Sequence, residues 1–185
     1  MIRSFAISIV LFFLAAPGMA QLLTSPERSA AKNIAKKRWP KAERLLRKAL
    51  HKDSLNVVAR HMLSVYFFKR DNPAYHTDSA YQHVTKALLQ YSLLSLREKQ
   101  KLKRFPLDST RIIFLREQID SAVFAEVKTI HTEEAYIRFL KEHPYAHQRN
   151  EASQLRDEVA YMDALNKNTH EAFRDFLNKY PLASN

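Results

Sequence analysis

The sequence predicts an all-α protein, and three observations carry that reading. Apolar residues recur every three or four positions, most plainly at Ile112, Leu115, Ile119, Val123, Val127 and Ile130, which lines one face of a helix. No segment sustains the period of two that marks a half-buried strand. The 185 residues include one glycine, Gly18, so tight two-residue hairpins lose their preferred residue.

Taken in chain order, the first element is an address. Arg3 supplies a short positive start, and Phe5 to Ala16 form an apolar core. Pro17, Gly18, Met19 and Ala20 then offer small residues where a signal peptidase reads, which places cleavage before Gln21. The apolar run of about a dozen residues is short of the roughly 18–20 that span a bilayer; an uncleaved N-terminal anchor is the alternative. We expect a cleavable signal peptide over residues 1–20 and export to a periplasmic or extracellular space. The chain has no cysteine, so it is not a lipoprotein of the bacterial type, and disulfides, thiolate zinc sites and cysteine nucleophiles are excluded.

The remaining residues, 21–185, are expected to form one helical domain of nine helices. Pro26 after Ser25 and Pro40 after Trp39 open helices near 26–38 and 40–51, proline being favoured in a first turn. A third helix near 55–70 ends at the loop marked by Asn72-Pro73, and a fourth runs near 77–91. Ser95 with Glu98 makes a capping box for a linking helix near 95–104. The strongest apolar stripe gives a helix over 109–130. Thr132 and Thr169 are N-cap residues for helices near 132–142 and 169–179, with another near 147–166 between them.

Charge is uneven along this domain. Gln21 to Arg111 carries 20 Lys+Arg against 7 Asp+Glu, whereas Ile112 to Asn185 carries 9 against 12. The asymmetry points to two electrostatic ends of one domain.

Self-comparison is the most informative step. Residues 132–146 (TEEAYIRFLKEHPYA) match residues 169–183 (THEAFRDFLNKYPLA) at an offset of 37, with seven of fifteen positions identical. The same offset pairs Asp120 with Asp157, Phe124 with Tyr161 and Glu126 with Asp163 in the preceding helices. In the basic half, Ala42, Leu46, Ala49 and Ser54 recur as Ala80, Val84, Ala87 and Ser92. Small residues there let neighbouring helices approach closely, while the bulky one fills the groove beside them.

This spacing, small-x3-bulky-x2-small followed by a turn residue, resembles the second helix of tetratricopeptide repeats. The C-terminal units are similar to the variant found in outer-membrane assembly lipoproteins and TolA-binding proteins, in which a phenylalanine stands five residues before the turn proline, as Phe139 and Pro144, and Phe176 and Pro181, do here. The resemblance implies a right-handed stack of helix–turn–helix pairs, a tetratricopeptide-like α-solenoid. Its repeats cover about 26–91 and 109–185, joined by the 95–104 helix. The sequence departs from the family in having Ala30 and Ser64 where glycine is usual, serine at Ser54 and Ser92 for the turn proline, and extra residues at 71–76 and 92–108. An unrelated amphipathic bundle is the alternative, most open in the N-terminal half.

Chemistry is sparse. Without glycine after residue 18, phosphate-cradling loops and nucleophile elbows cannot be built. His143 and His147 are separated by Pro144, His131 lacks a His-Glu-x-x-His partner, and His51 and His61 fall on different helices; all read as surface or turn histidines. Glu133-Glu134 and Asp157-Glu158 are sequence neighbours that diverge around a helix. We therefore expect no enzyme, no metal and no cofactor. The sharpest surface feature is Arg97, Lys99, Lys101, Lys103 and Arg104, a candidate site for an anionic envelope surface or acidic polymer. Nucleic acid is disfavoured, since Phe105 alone flanks the cluster where single-strand binders interleave several aromatics, and membrane insertion is disfavoured too, since the apolar residues of that helix form no broad stripe.

Phe173, Phe176, Leu177 and Tyr180 form a candidate docking end, because no capping helix follows them. That end would meet a further C-terminal domain, a second copy or a partner. The function expected from the resemblance is a non-enzymatic scaffold or adaptor of the cell envelope that binds a protein or peptide in its groove. The alternatives are an electrostatic envelope binder acting through 97–104, and a spacer preceding an active domain in a longer chain.

Overall fold

A computed structural model describes residues 25–181 and 183; the signal-peptide expectation for residues 1–20 lies outside them. Among the described residues the fold is all-α: α1 Pro26–Ala35, α2 Trp39–Lys52, α3 Val57–Phe68, α4 Thr77–Ser92, α5 Leu96–Leu102, α6 Ser109–Ile130, α7 Glu133–Glu142, α8 Arg149–Lys167 and α9 His170–Lys179. Each element falls where the sequence places it, with ends that differ by no more than three residues in either direction.

The caps explain the boundaries. Ser25, Asn56, Asp108, Thr132 and Thr169 each accept a hydrogen bond from the backbone N–H three residues on. Ser95 and Glu98 complete a reciprocal box at the start of α5. These contacts satisfy N–H groups that a helix start leaves open.

Helices pack largely in chain order: α1 on α2, α2 on α3, α3 on α4, α4 on α6, then α6, α7, α8 and α9 in succession. α5 stands outside this sequence; Leu102, half-buried, is its tie to the core around Val84, Ile112 and Ile119. In the basic half Ala42, Leu46, Ala80, Val84 and Ala87 are all fully buried, as are Ala30 and Ser64 on the helices they face. Ser64 Oγ donates to the Ala80 carbonyl at 2.8 Å, so the hydroxyl standing in a small-residue position is satisfied across the α3–α4 contact.

The 37-residue sequence repeat is also a repeat of contacts. Phe124 meets Phe139 at 5.2 Å between ring centroids, and their counterparts Tyr161 and Phe176 meet at 5.5 Å. Phe139 stacks on His143 at 5.0 Å, and Phe176 lies 6.0 Å from Tyr180. The helix ends repeat as well. α6 closes on His131 at φ 51° and α8 on Asn168 at φ 47°, both left-handed. Glycine is the usual residue at such a C-terminal position; here a histidine and an asparagine occupy it. His131 is further held by its Nδ1, 2.8 Å from the Tyr136 hydroxyl.

Asn168→Ala should therefore lower unfolding free energy by about 1 kcal/mol, the order of the left-handed penalty for a residue with a Cβ. Asn168→Gly should hold or raise the urea midpoint. Equal losses in both variants would contradict a backbone origin for the choice of residue.

Candidate functional site

Where the basic and acidic halves meet, α4 and the end of α7 bound an open cleft of about 450 Å³. Asp78, Tyr81, Gln82 and Thr85 line it from α4, joined by Lys86, while Glu142 and His143 face it from α7. The α4 spacing of i, i+3, i+4 and i+7 puts these side chains on one helical face. Tyr81 Oη and Thr85 Oγ1 are shielded from water; they face each other, and neither has a hydrogen-bond partner elsewhere in the chain. Burial and the nearby Asp120 carboxylate push the Tyr81 phenol up from its ordinary pKa, so it remains a neutral donor.

Behind the cleft sits a buried ionisable pair. His143 is 2% exposed and Asp120 is 1% exposed. His143 Nδ1 lies 2.8 Å from Asp120 Oδ1, and the imidazole is held between Tyr81 at 4.2 Å and Phe139 at 5.0 Å. This corrects the expectation of a surface or turn histidine: His143 does cap α7 at the turn, but its ring points inward. Asp157, the repeat counterpart of Asp120, instead pairs with Arg156 at 2.6 Å in a partly exposed position. The two carboxylates share a helical register and differ in role.

The other histidines divide by burial. His147, exposed, reaches Glu117 at 3.0 Å. His83 stacks on Phe67 with centroids 5.6 Å apart. Burial first, then Arg60 and neighbouring cations, lowers its pKa from 6.5 to about 4. Burial, followed by Arg111, does the same to His61. Among the described residues no group of three or more His, Asp or Glu is placed to hold a metal ion.

The basic residues named from sequence stand together on and after α5. Arg97, Lys101, Lys103 and Arg104 are exposed, and Lys99 is half-buried with its ammonium 5.3 Å from the Tyr91 ring. The Arg104 and Arg28 guanidiniums lie 5.3 and 5.0 Å from the Phe105 ring, and Arg28 donates to the Arg104 carbonyl at 3.3 Å. None of the five forms an ion pair among the described residues.

The candidate docking end requires a correction. Phe176 and Tyr180 are 6% and 9% exposed, and Phe173 is half-buried. Their i, i+3 and i+7 positions face α8, where Ala160, Tyr161 and Ala164 cover them. Tyr180 is further engaged: the Arg156 guanidinium lies 4.4 Å from its ring and its hydroxyl donates to Glu133. Burial alone would raise the Glu133 carboxyl, but hydrogen bonds from Lys179 and Tyr180 outweigh it and hold the group below the ordinary range. Of the four named residues, Leu177 alone is largely exposed, at 55%.

Set against known proteins, the chain matches no family model, no curated protein and no solved structure.

Two outcomes follow from the buried groups. Asp120→Ala strands a buried imidazole nitrogen and should cost about 1–3 kcal/mol in chemical unfolding. Asp157→Ala, on the partly exposed copy of the site, should cost well under half of that. Second, His61 and His83 are depressed to about 4 when folded against 6.5 ordinarily, so between those values the unfolded chain binds more protons. Stability from this source is complete above about pH 6.5 and is lost as pH falls toward 4. The melting temperature should drop across that window, and a His61→Gln, His83→Gln double variant should drop less.

Proposed function

We propose that this chain is an exported, non-enzymatic helical-repeat protein of the cell envelope that binds a polypeptide segment in the α4–α7 cleft. In this reading the helices form a right-handed α-solenoid of the tetratricopeptide type, and the protein acts as a scaffold or adaptor. The single observation carrying it is the cleft itself, in which two sheltered hydroxyls, Tyr81 Oη and Thr85 Oγ1, have no partner in the chain beyond each other. A buried polar group without a partner is costly, and an extended peptide supplies what these two lack, a backbone N–H and C=O at each residue.

The surroundings favour a polypeptide. Gln82 offers both donor and acceptor at the cleft, Lys86 offers a cation, and Asp78 and Glu142 offer carboxylates. Such a mixed lining suits a segment of mixed polarity. His143 is tied through Nδ1 to Asp120 and packed between two rings, an arrangement that gives the cleft a stiff floor. Stacked helix pairs present surfaces of this kind because each pair is fixed by its neighbours.

Photocrosslinking in the producing cell tests the reading. A photoreactive residue at Gln82 or at Glu142 should yield adducts of the same discrete mass, and one at Arg174 on α9 should yield none. Tyr81→Phe, which removes the hydroxyl and keeps the ring against His143, should weaken the Gln82 adduct severalfold without lowering the amount of folded protein. Equal adducts from all three positions, or none from Gln82 and Glu142, would remove the cleft as the binding site.

A further inference from the structure

The second surface lies at the far end of α4, and it does not depend on the cleft. Along this stretch leucines sort into two sets. Leu88, Tyr91, Leu94 and Leu102 pack on the core, so the inward face is satisfied. Leu89, Leu93 and Leu96 point away from it and are 62%, 75% and 81% exposed. Leu89 and Leu93 are one helical turn apart, and Leu96 opens α5 after the short turn that follows α4. The α2–α3 turn is brought alongside, since Gln90 Nε2 donates to the Ser54 carbonyl at 3.0 Å. Its Leu55 is 64% exposed. Four leucines thus project at one end of the molecule.

The same end is strongly cationic. Arg97, Lys99, Lys101, Lys103 and Arg104 follow directly on Leu96. The carboxylates closest in sequence are already occupied in fixing the backbone. Glu98 accepts from the Ser95 N–H, Asp53 from the Leu55 N–H and Asp108 from the Arg111 N–H. Glu98 offsets part of the charge through Lys101, but none of the five cations is held in an ion pair among the described residues, which leaves them facing solvent.

We propose that this end is a peripheral docking site for an anionic phospholipid bilayer. Leu89, Leu93 and Leu96, with Leu55 beside them, enter the boundary between headgroups and acyl chains, and the α5 cations pair with headgroup phosphates. Apolar burial and attraction to anionic lipid act together in such binding. An acidic protein or polymer would account for the cations but leaves the projecting leucines without a role; charge and apolar tip together select the bilayer. The contact is superficial: among the described residues no helix is long and apolar enough to cross a membrane.

The absence of cysteine allows a site-specific test on the full chain. A single environment-sensitive NBD label is placed at Leu96→Cys, with Leu177→Cys as the comparison site on α9. Vesicles of phosphatidylcholine are used with and without roughly 30% phosphatidylglycerol, the anionic component that such binding requires. The label at 96 should brighten at least about twofold and shift to the blue on anionic vesicles only, as an apolar insertion demands. The label at 177 should not respond. Adding Leu89→Ser and Leu93→Ser, which keep every charge and alter only exposed positions, should weaken vesicle binding by roughly tenfold. Several results would overturn the proposal: no response at 96, an equal response at 177, or binding that needs the five cations but ignores the leucine changes. The last would show a purely electrostatic contact in which the projecting leucines take no part.

Discussion

Close approach of successive helices at small side chains is the constraint on which everything else rests. Ala30, Ala42, Ala59, Ser64, Ala80 and Ala87 have no measurable exposure. At each of these places a larger residue would hold neighbouring helices apart and move the grooves into which Leu46 and Val84 fit. Ser64 is the informative member. It brings a polar group into a dry contact and is tolerated because the Ala80 carbonyl accepts its proton at 2.8 Å. The cleft inherits this geometry: Tyr81 follows Ala80 directly, so the position of its hydroxyl is fixed by how closely α3 lets α4 approach.

The acidic half solves the same problem with aromatic layers. Phe124 on Phe139 and Tyr161 on Phe176 are one contact used twice, and the helix reversals that bring them together use the left-handed residues His131 and Asn168. The two copies then diverge in their polar groups. Asp120 turns inward to His143, while in the second copy Tyr180 takes the histidine's place and reaches Glu133. The two copies share a frame of contacts and differ in the polar groups set on it.

Local physics was readable from sequence, and long-range placement was not. Thr132, Thr169 and the Ser95–Glu98 box define their helix starts because a cap is a contact over three residues. The 37-residue repeat was visible because the same packing demands the same residue types at the same spacing. The His143–Asp120 pair was missed because its members lie on different elements, 23 residues apart, and nothing in either neighbourhood marks the other. The cover over Phe176 and Tyr180 was missed for a related reason. Amphipathic spacing shows that a face is apolar without showing which helix lies on it. The leucines around Leu93 were not singled out, since outward Leu89 and Leu93 directly adjoin inward Leu88 and Leu94 and residue type alone does not separate them.

α4 carries both surfaces described above, and this gives it the character of a ruler. Gln82 at the cleft and Leu93 at the tip are joined by continuous helix apart from the final cap. A rise of 1.5 Å per residue separates them by about 16 to 17 Å along one axis. With a bilayer at the tip and a polypeptide in the cleft, the helix would hold that polypeptide at a fixed height of this order above the lipid surface. The spacing would be set by the number of residues in one helix, so inserting or deleting a turn of α4 would change the height in steps of about 5 Å.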